Sequence, residues 1–207
     1  MSTINFHNCD NMEFMKNIPD KFYDLAIVDP PYGINIMKKW GNDKNDYRQF
    51  DIKEWDNNRP KKEYFEELFR ISKNQIIWGG NYFTDNLPIS MGWAIWDKGQ
   101  EDFTLADCEL AWTSFNKAIR RKVIHRSNKN NPNRIHICQK PIQLYKWLLT
   151  KYAKQGDKIL DTHGGSMSIA IACHDLGFDL DLCELDKDYF DAGVKRFEQH
   201  KKQLKLL

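Results

Sequence analysis

The chain has 207 residues, 41% of them hydrophobic, and a formal net charge of +2. It is long enough to bury a sizeable core, and its overall charge alone implies no acidic or basic partner. No apolar run approaches the ~20 residues of a membrane span, and the opening MSTINFHNCDNMEF lacks the basic and apolar regions of a secretory signal. Its five cysteines are scattered without a CxxC pair, a pattern that predicts reduced thiols in a cytoplasmic protein rather than a disulfide framework or a zinc site.

In chain order, the first strong signal is the apolar run Asp24 to Val28, which reads as a buried strand. Asp29-Pro30-Pro31-Tyr32-Gly33 follows it directly. Residues Ile34 to Asn58 are polar and poorly patterned, and predict a loop or lid. A helix is expected over Lys61 to Ser72, behind Pro60, then strands at Gln75 to Trp78 and Trp93 to Trp96. Residues Phe115 to Pro132 are again unpatterned. The last third predicts a helix over Ile142 to Ala153, a strand at Lys158 to Leu160 and a glycine turn. A helix over Ser168 to Leu176, a strand over Phe178 to Cys183 and a helix from Lys187 to about Lys202 complete it. Strands alternating with helices of this length predict an α/β fold, a doubly wound, mostly parallel sheet with helices on both faces.

Between Asn116 and Arg134 there are seven lysines and arginines and no acidic residue. That is the footprint of a phosphate-contacting surface, although a solvated loop has the same composition.

The segment 158–166 runs from a strand into a glycine turn, and the helix from Ser168 follows it. The backbone can approach a ligand closely there, and the helix N-terminus offers free N–H groups. Glu184 ends the next strand, where a carboxylate can accept hydrogen bonds from ribose hydroxyls. Together these features suggest a nucleoside-containing cofactor.

Asp29 places a carboxylate at the carboxyl end of a strand, where open α/β sheets bind ligands. Pro30 and Pro31 stiffen the turn and remove two donors, and Tyr32 offers a flat face to a base. This set suits methylation of an aromatic amine, a poor nucleophile because its lone pair is delocalised into the ring. A carboxylate and a backbone carbonyl that accept its N–H bonds would turn the lone pair toward a methyl donor. The base would have to leave the duplex, and stacking on Tyr32 would offset part of that cost. Stacking needs only the ring, so Tyr32→Phe should retain much of the activity.

These residues resemble the amino-methyltransferases of DNA, whose hallmark is [DNS]-P-P-[YFW]. Asn8-Cys9-Asp10 and Tyr23-Asp24-Leu25 look like that family's lead-in to the catalytic strand. His136-Ile137-Cys138-Gln139-Lys140-Pro141 is similar to its HPTQKP segment, 156–161 to its GDxVLDPFxGSGT loop, and Cys183 to Phe197 to its GxExDxxYxxxAxxRl stretch. The catalytic motif precedes the cofactor motif, as in the circularly permuted β group, whose DPPY members methylate adenine N6. Trp78 to Phe83 and Trp96-Asp97-Lys98 look most like compact, phage-associated adenine methylases.

The resemblance implies one Rossmann-like methyltransferase domain over 1–207. Its catalytic half would span about 1–115, a small basic recognition segment about 116–134, and its cofactor half about 135–207. The implied cofactor is S-adenosylmethionine. The implied partner is double-stranded DNA, in a restriction–modification setting. A homodimer is compatible with this reading, which calls for no membrane and no metal.

Asp29 and the Pro30 carbonyl would hold the target amine in a catalytic turn that includes Pro31, and Tyr32 would stack on the flipped base. Asp10, Asp29, Asp161, His163, Gly165, Ser166 and Leu185 would line the cofactor, with Glu184 at its ribose and Lys140 near its carboxylate. Lys38, Lys39, Arg120, Arg121, Lys122 and Arg126 would meet DNA. The loop departs from the family pattern at Thr162, His163 and Met167, and Met167 brings a side chain where a second glycine is usual. It would either crowd the cofactor or pack beneath it. The alternatives are a cytosine-N4 methyltransferase with the same chemistry and a catalytically silent nucleic-acid-binding relative.

Overall fold

A computed structural model describes residues 2–36, 53–101, 106–125, 134–136 and 138–203, and the structural statements below refer to these. In chain order the elements are β1 (Ile4–His7), α1 (Asn11–Lys16), β2 (Tyr23–Val28), α2 (Lys62–Ile71), β3 (Ser72–Trp78), a 3-10 turn (Gly80–Tyr82), β4 (Trp93–Asp97), β5 (Cys108–Thr113) and β6 (Arg120–Val123). They continue with α3 (Ile142–Tyr152), β7 (Lys158–Asp161), α4 (Ser168–Leu176), β8 (Asp179–Cys183) and α5 (Lys187–Lys202).

The strands form one eight-stranded sheet in the order β1-β8-β7-β2-β3-β5-β4-β6. β5 alone runs against its neighbours, pairing antiparallel with β3 and β4, and the other ladders are parallel. This is the expected doubly wound, mostly parallel α/β sheet. β2 is apolar at nearly every position because both of its faces are covered. Leu25 and Ile27 join a core cluster with α3 and α4, whereas Ala26 and Val28 join a second cluster with α2 on the other face.

Three strands lie outside the expected set. β1 has only four residues, β5 carries a charged residue, Glu109, within its apolar run, and β6 falls inside the stretch expected to be irregular. All four residues of β6 are exposed, so it buries no face and shows no alternation for a sequence pattern to reveal. It is held by parallel pairing to β4, Arg120 opposite Ala94 through Val123 opposite Asp97.

The register brings the functional segments to one rim. His7 lies opposite Cys183, Asp161 opposite Leu182, Ala26 opposite Leu160, and Val28 opposite Ile77. The residues that follow β1, β2, β3, β7 and β8 therefore emerge side by side. β4 ends at the same rim, where Asp97 pairs with Cys108 at the start of the reversed β5.

Met167 is fully buried at the N-cap of α4 and adopts a left-handed conformation, φ 55°. Its side chain lies against Gly193 of α5, where an added Cβ would come within 2.7 Å of Met167 Cγ. It does not border the cavity described below and turns into the core. Met167→Gly should relieve about 1–2 kcal/mol of backbone strain and lose about 2–5 kcal/mol of buried packing. The expected result is a protein about 1–3 kcal/mol less stable in urea titration, and an equal or higher midpoint would contradict this packing role.

Candidate active site

Asp29 leaves the carboxyl end of β2, and the two prolines after it leave the turn without N–H groups to fasten it. The fastening comes from Asp56. One of its carboxylate oxygens accepts from Tyr32 N (2.8 Å) and Gly33 N (2.9 Å), and the other from Ile36 N (2.9 Å). Gly33 takes φ +72°, and an added Cβ there would stand 3.0 Å from Arg59 N, so the exit from the turn needs glycine.

The Tyr32 ring lies against Gly79, where a Cβ would come within 2.2 Å of it. It also stacks on Tyr82, with centroids 4.9 Å apart and planes 16° apart. The Tyr32 hydroxyl donates to Asp29 Oδ1 at 2.7 Å. The hydroxyl is thus engaged as well as the ring.

Beneath this turn runs a chain of alternating charges. Lys140 Nζ donates to Asp29 Oδ2 and lies 3.1 Å from Glu109 on β5, which is 3.0 Å from Lys98. Lys140 is 4% exposed and Lys98 7%, so the four charges balance in a poorly solvated setting. Burial pushes the Asp29 carboxyl above its ordinary range, against the pull of Lys140. Burial acts on Glu109 in the same sense, but Lys140 and Lys98 outweigh it and hold its pKa down. Lys140, expected near a cofactor carboxylate, donates to Asp29 and lies between it and Glu109, two partly buried carboxylates.

On the cofactor side, Glu184 follows β8. Its Oε2 accepts from Gly165 N (2.7 Å) and its Oε1 from Asp186 N (2.8 Å), which ties the glycine loop to the start of α5. Asp10 caps α1, accepting from Met12 N and Glu13 N. The His163 ring is pinned between Asn11 Nδ2 (3.0 Å) and Thr162 Oγ1 (2.9 Å), edge-on to Tyr64.

These segments enclose one cavity of about 660 Å³. Asp10, Asp29, Pro30, Pro31, Tyr32, Lys140, His163, Gly165, Ser166, Glu184 and Leu185 all border it. Asp161 does not. It is 1% exposed and lies behind the loop, where its carboxylate accepts from His163 N at 2.9 Å.

Burial raises the Asp161 carboxyl to about 8, so above about pH 4 the folded protein keeps a proton that the unfolded chain releases. Stability conferred by this group therefore falls as pH rises toward 8. Burial lowers His163 to about 4 and His136 to about 3. Both therefore act in the opposite sense, but only below about pH 6.5, the unfolded histidine value. Between pH 7 and 8 the thermal midpoint of the native protein should fall by about 2–5 °C more than that of Asp161→Asn. Parallel curves would show that the aspartate is ionised throughout.

Sequence reasoning missed Asp56, Glu109, Lys98 and Tyr82. The signal for Glu109 was a charged residue inside the apolar run Cys108–Thr113, and Tyr82 and Lys98 lay in the two segments that resemble adenine methylases. Arg120, Arg121 and Lys122 lie on the exposed edge strand and do not border the cavity; Arg121 approaches Asp97 at 3.5 Å. Lys38, Lys39 and Arg126 fall outside the described residues.

The fold has counterparts among solved structures. The M1.HpyAVI–SAM complex superposes with a TM-score of 0.61 over 94% of this chain and 100% of that one, at 19% identity. The PvuII DNA methyltransferase, described as cytosine-N4-specific, gives 0.66 over 97% and 91%, at 12% identity. TTHA0409 of Thermus thermophilus, complexed with S-adenosyl-L-methionine, gives 0.62 over 98% and 96%, at 15% identity. No curated protein matches the sequence significantly. The profile of the N6/N4 DNA methylases matches residues 77–195. That match runs from the end of β3 through most of α5, more than half of the chain, and the protein therefore belongs to the N6/N4 DNA methylase family.

Proposed function

We propose that the protein transfers the methyl group of S-adenosylmethionine to the N6 amine of adenine in DNA, as one domain over 1–207 with the permuted motif order of the β group. The observation that carries this reading is the shared cavity, which borders Asp29 and Tyr32 as well as Gly165 and Glu184.

The cofactor side fits such a ligand. An added Cβ at Gly165 would have no neighbour closer than 3.9 Å, which leaves that backbone open to close approach. Trp55, which borders the cavity, has a buried Nε1 with no acceptor among the described residues. When bound, S-adenosylmethionine supplies an electrophilic methyl group on a sulfonium.

This chain's residues supply the rest. Asp29 and the Pro30 carbonyl accept the hydrogens of the target amine and turn its lone pair out of conjugation. Asp29 still has lone pairs free for this beyond those engaged by Tyr32 and Lys140. Tyr32 holds the flipped base, and Lys140 opposes the burial that pushes the Asp29 carboxyl up. Glu184 accepts from the ribose hydroxyls. Arg120, Arg121 and Lys122, with Lys38, Lys39 and Arg126, meet the phosphates.

Incubation of unmethylated DNA with the protein and S-adenosylmethionine, followed by nucleoside mass spectrometry, should yield N6-methyladenine. The likeness to the PvuII enzyme keeps cytosine N4 as the second reading, and N4-methylcytosine in the same assay would select it. Neither product would overturn both readings. Glu184→Ala should weaken S-adenosylmethionine binding by about 1.5–3 kcal/mol in calorimetry, the range for a hydrogen bond to a charged group. An unchanged dissociation constant would remove Glu184 from the site.

A further inference from the structure

Four residues, Lys53 to Asp56, touch both halves of the cavity. Lys53 Nζ donates to both Asp186 oxygens at 2.6 Å and to Asp188 Oδ2 at 2.8 Å, and sits 4.6 Å from the Tyr189 ring centroid. Asp186 is the N-cap of α5, and its own N–H is held by Glu184. Two residues on, Trp55 packs on His136 with centroids 5.2 Å apart, and His136 packs on Tyr189 at 4.5 Å. Asp56, 3% exposed, holds the N–H groups of Tyr32, Gly33 and Ile36, and its own carbonyl accepts from Asn35 N.

We propose that Lys53–Asp56 is a positioning clasp that couples the cofactor site to the catalytic turn, so that occupation of one stiffens the other. The inference rests on the reading of this cavity as an S-adenosylmethionine site. Its physical basis is continuity. The path from Glu184 through Asp186, Lys53 and Asp56 to the Tyr32 backbone consists of charge-assisted hydrogen bonds and one four-residue stretch of chain. A ligand that orders Glu184 and the start of α5 therefore reduces the freedom of Lys53. That restraint reaches the three N–H groups on Asp56 without the ligand touching them. The four residues are too close in sequence to act separately, and the partners of Asp56 and Lys53 lie 20 to 24 and 133 to 135 residues away.

Amide hydrogen exchange reads this coupling directly. In the native protein, saturation with S-adenosylmethionine should slow exchange at Tyr32, Gly33 and Ile36 by about fivefold or more, the lower end of ordinary coupling between sites. In Lys53→Ala and Lys53→Gln, with cofactor saturation checked by calorimetry, the slowing at these three amides should disappear. Slowing around Gly165 should persist. Lys53→Arg should restore the effect, which a loss of packing alone would not predict. Equal slowing in the native protein and both neutral variants overturns the clasp while leaving the cofactor reading intact. Absence of S-adenosylmethionine binding to the native protein overturns both.

Discussion

Asp29→Asn lowers the rate of methyl transfer by about 10²–10³-fold at saturating cofactor, the loss seen when one preorganised polar group is removed from a reacting centre. The target nitrogen is almost non-nucleophilic while its lone pair stays in the ring. The Asp29 carboxylate favours the geometry in which that lone pair is free. Asparagine keeps the shape and an acceptor oxygen, but loses the charge and presents an NH₂ group to either the amine or Lys140. The asparagine variant should hold its thermal midpoint better than Asp29→Ala, which leaves Lys140 with Glu109 as its one remaining carboxylate. Initial rates with radiolabelled S-adenosylmethionine, alongside calorimetric cofactor affinity, make the check. A rate within about fivefold of the native protein would remove Asp29 from the amine site.

Lys140→Met has the largest expected effect on stability, a loss of about 3–5 kcal/mol, the ordinary result of deleting one partner from a buried charge network. Methionine fills much of the volume, so packing is a minor part of the loss. What remains is a pair of partly buried carboxylates, Asp29 and Glu109, with Lys98 near only the second. Adding Glu109→Gln should recover part of the loss, because it relieves the repulsion between the two carboxylates and removes the excess negative charge left once Lys140 is gone, and non-additivity is the signature of direct contact. Urea unfolding of the two single variants and the double variant closes the cycle. A Lys140→Met loss below about 1 kcal/mol would mean that water already screens the group.

Five of the eight strands and the position of the Asp29 turn could be read from the sequence because their signals are local. An apolar run that ends in a carboxylate and two prolines announces a strand end, and a glycine turn before an apolar helix announces another. Whatever depended on long-range pairing was hidden. Asp56 lies 24 residues from Tyr32, and nothing in Trp55-Asp56-Asn57-Asn58 distinguishes an aspartate that collects three backbone N–H groups from one in open solvent. Glu109 was masked for a similar reason: its partners, Lys98 and Lys140, come from separate segments that meet only at the rim. Met167 reads as a misfit against the family loop. The explanation is Gly193, whose missing side chain leaves the space that Met167 fills.

The place of β6 in the sheet has a consequence for colloidal behaviour. It is the last strand in the order, so one row of its backbone N–H and C=O groups has no strand beside it among the described residues. Ile119 just before it and Val123 at its end are about half exposed, which makes this margin a natural template for another copy of the chain. Three consecutive cations, Arg120, Arg121 and Lys122, stand on that margin, and like charges brought together across a new ladder repel. The cations proposed to meet phosphate thus also keep the protein dispersed. Neutralising them to weaken DNA binding would unmask an aggregation-prone edge, and high salt, by screening them, would favour strand-to-strand association.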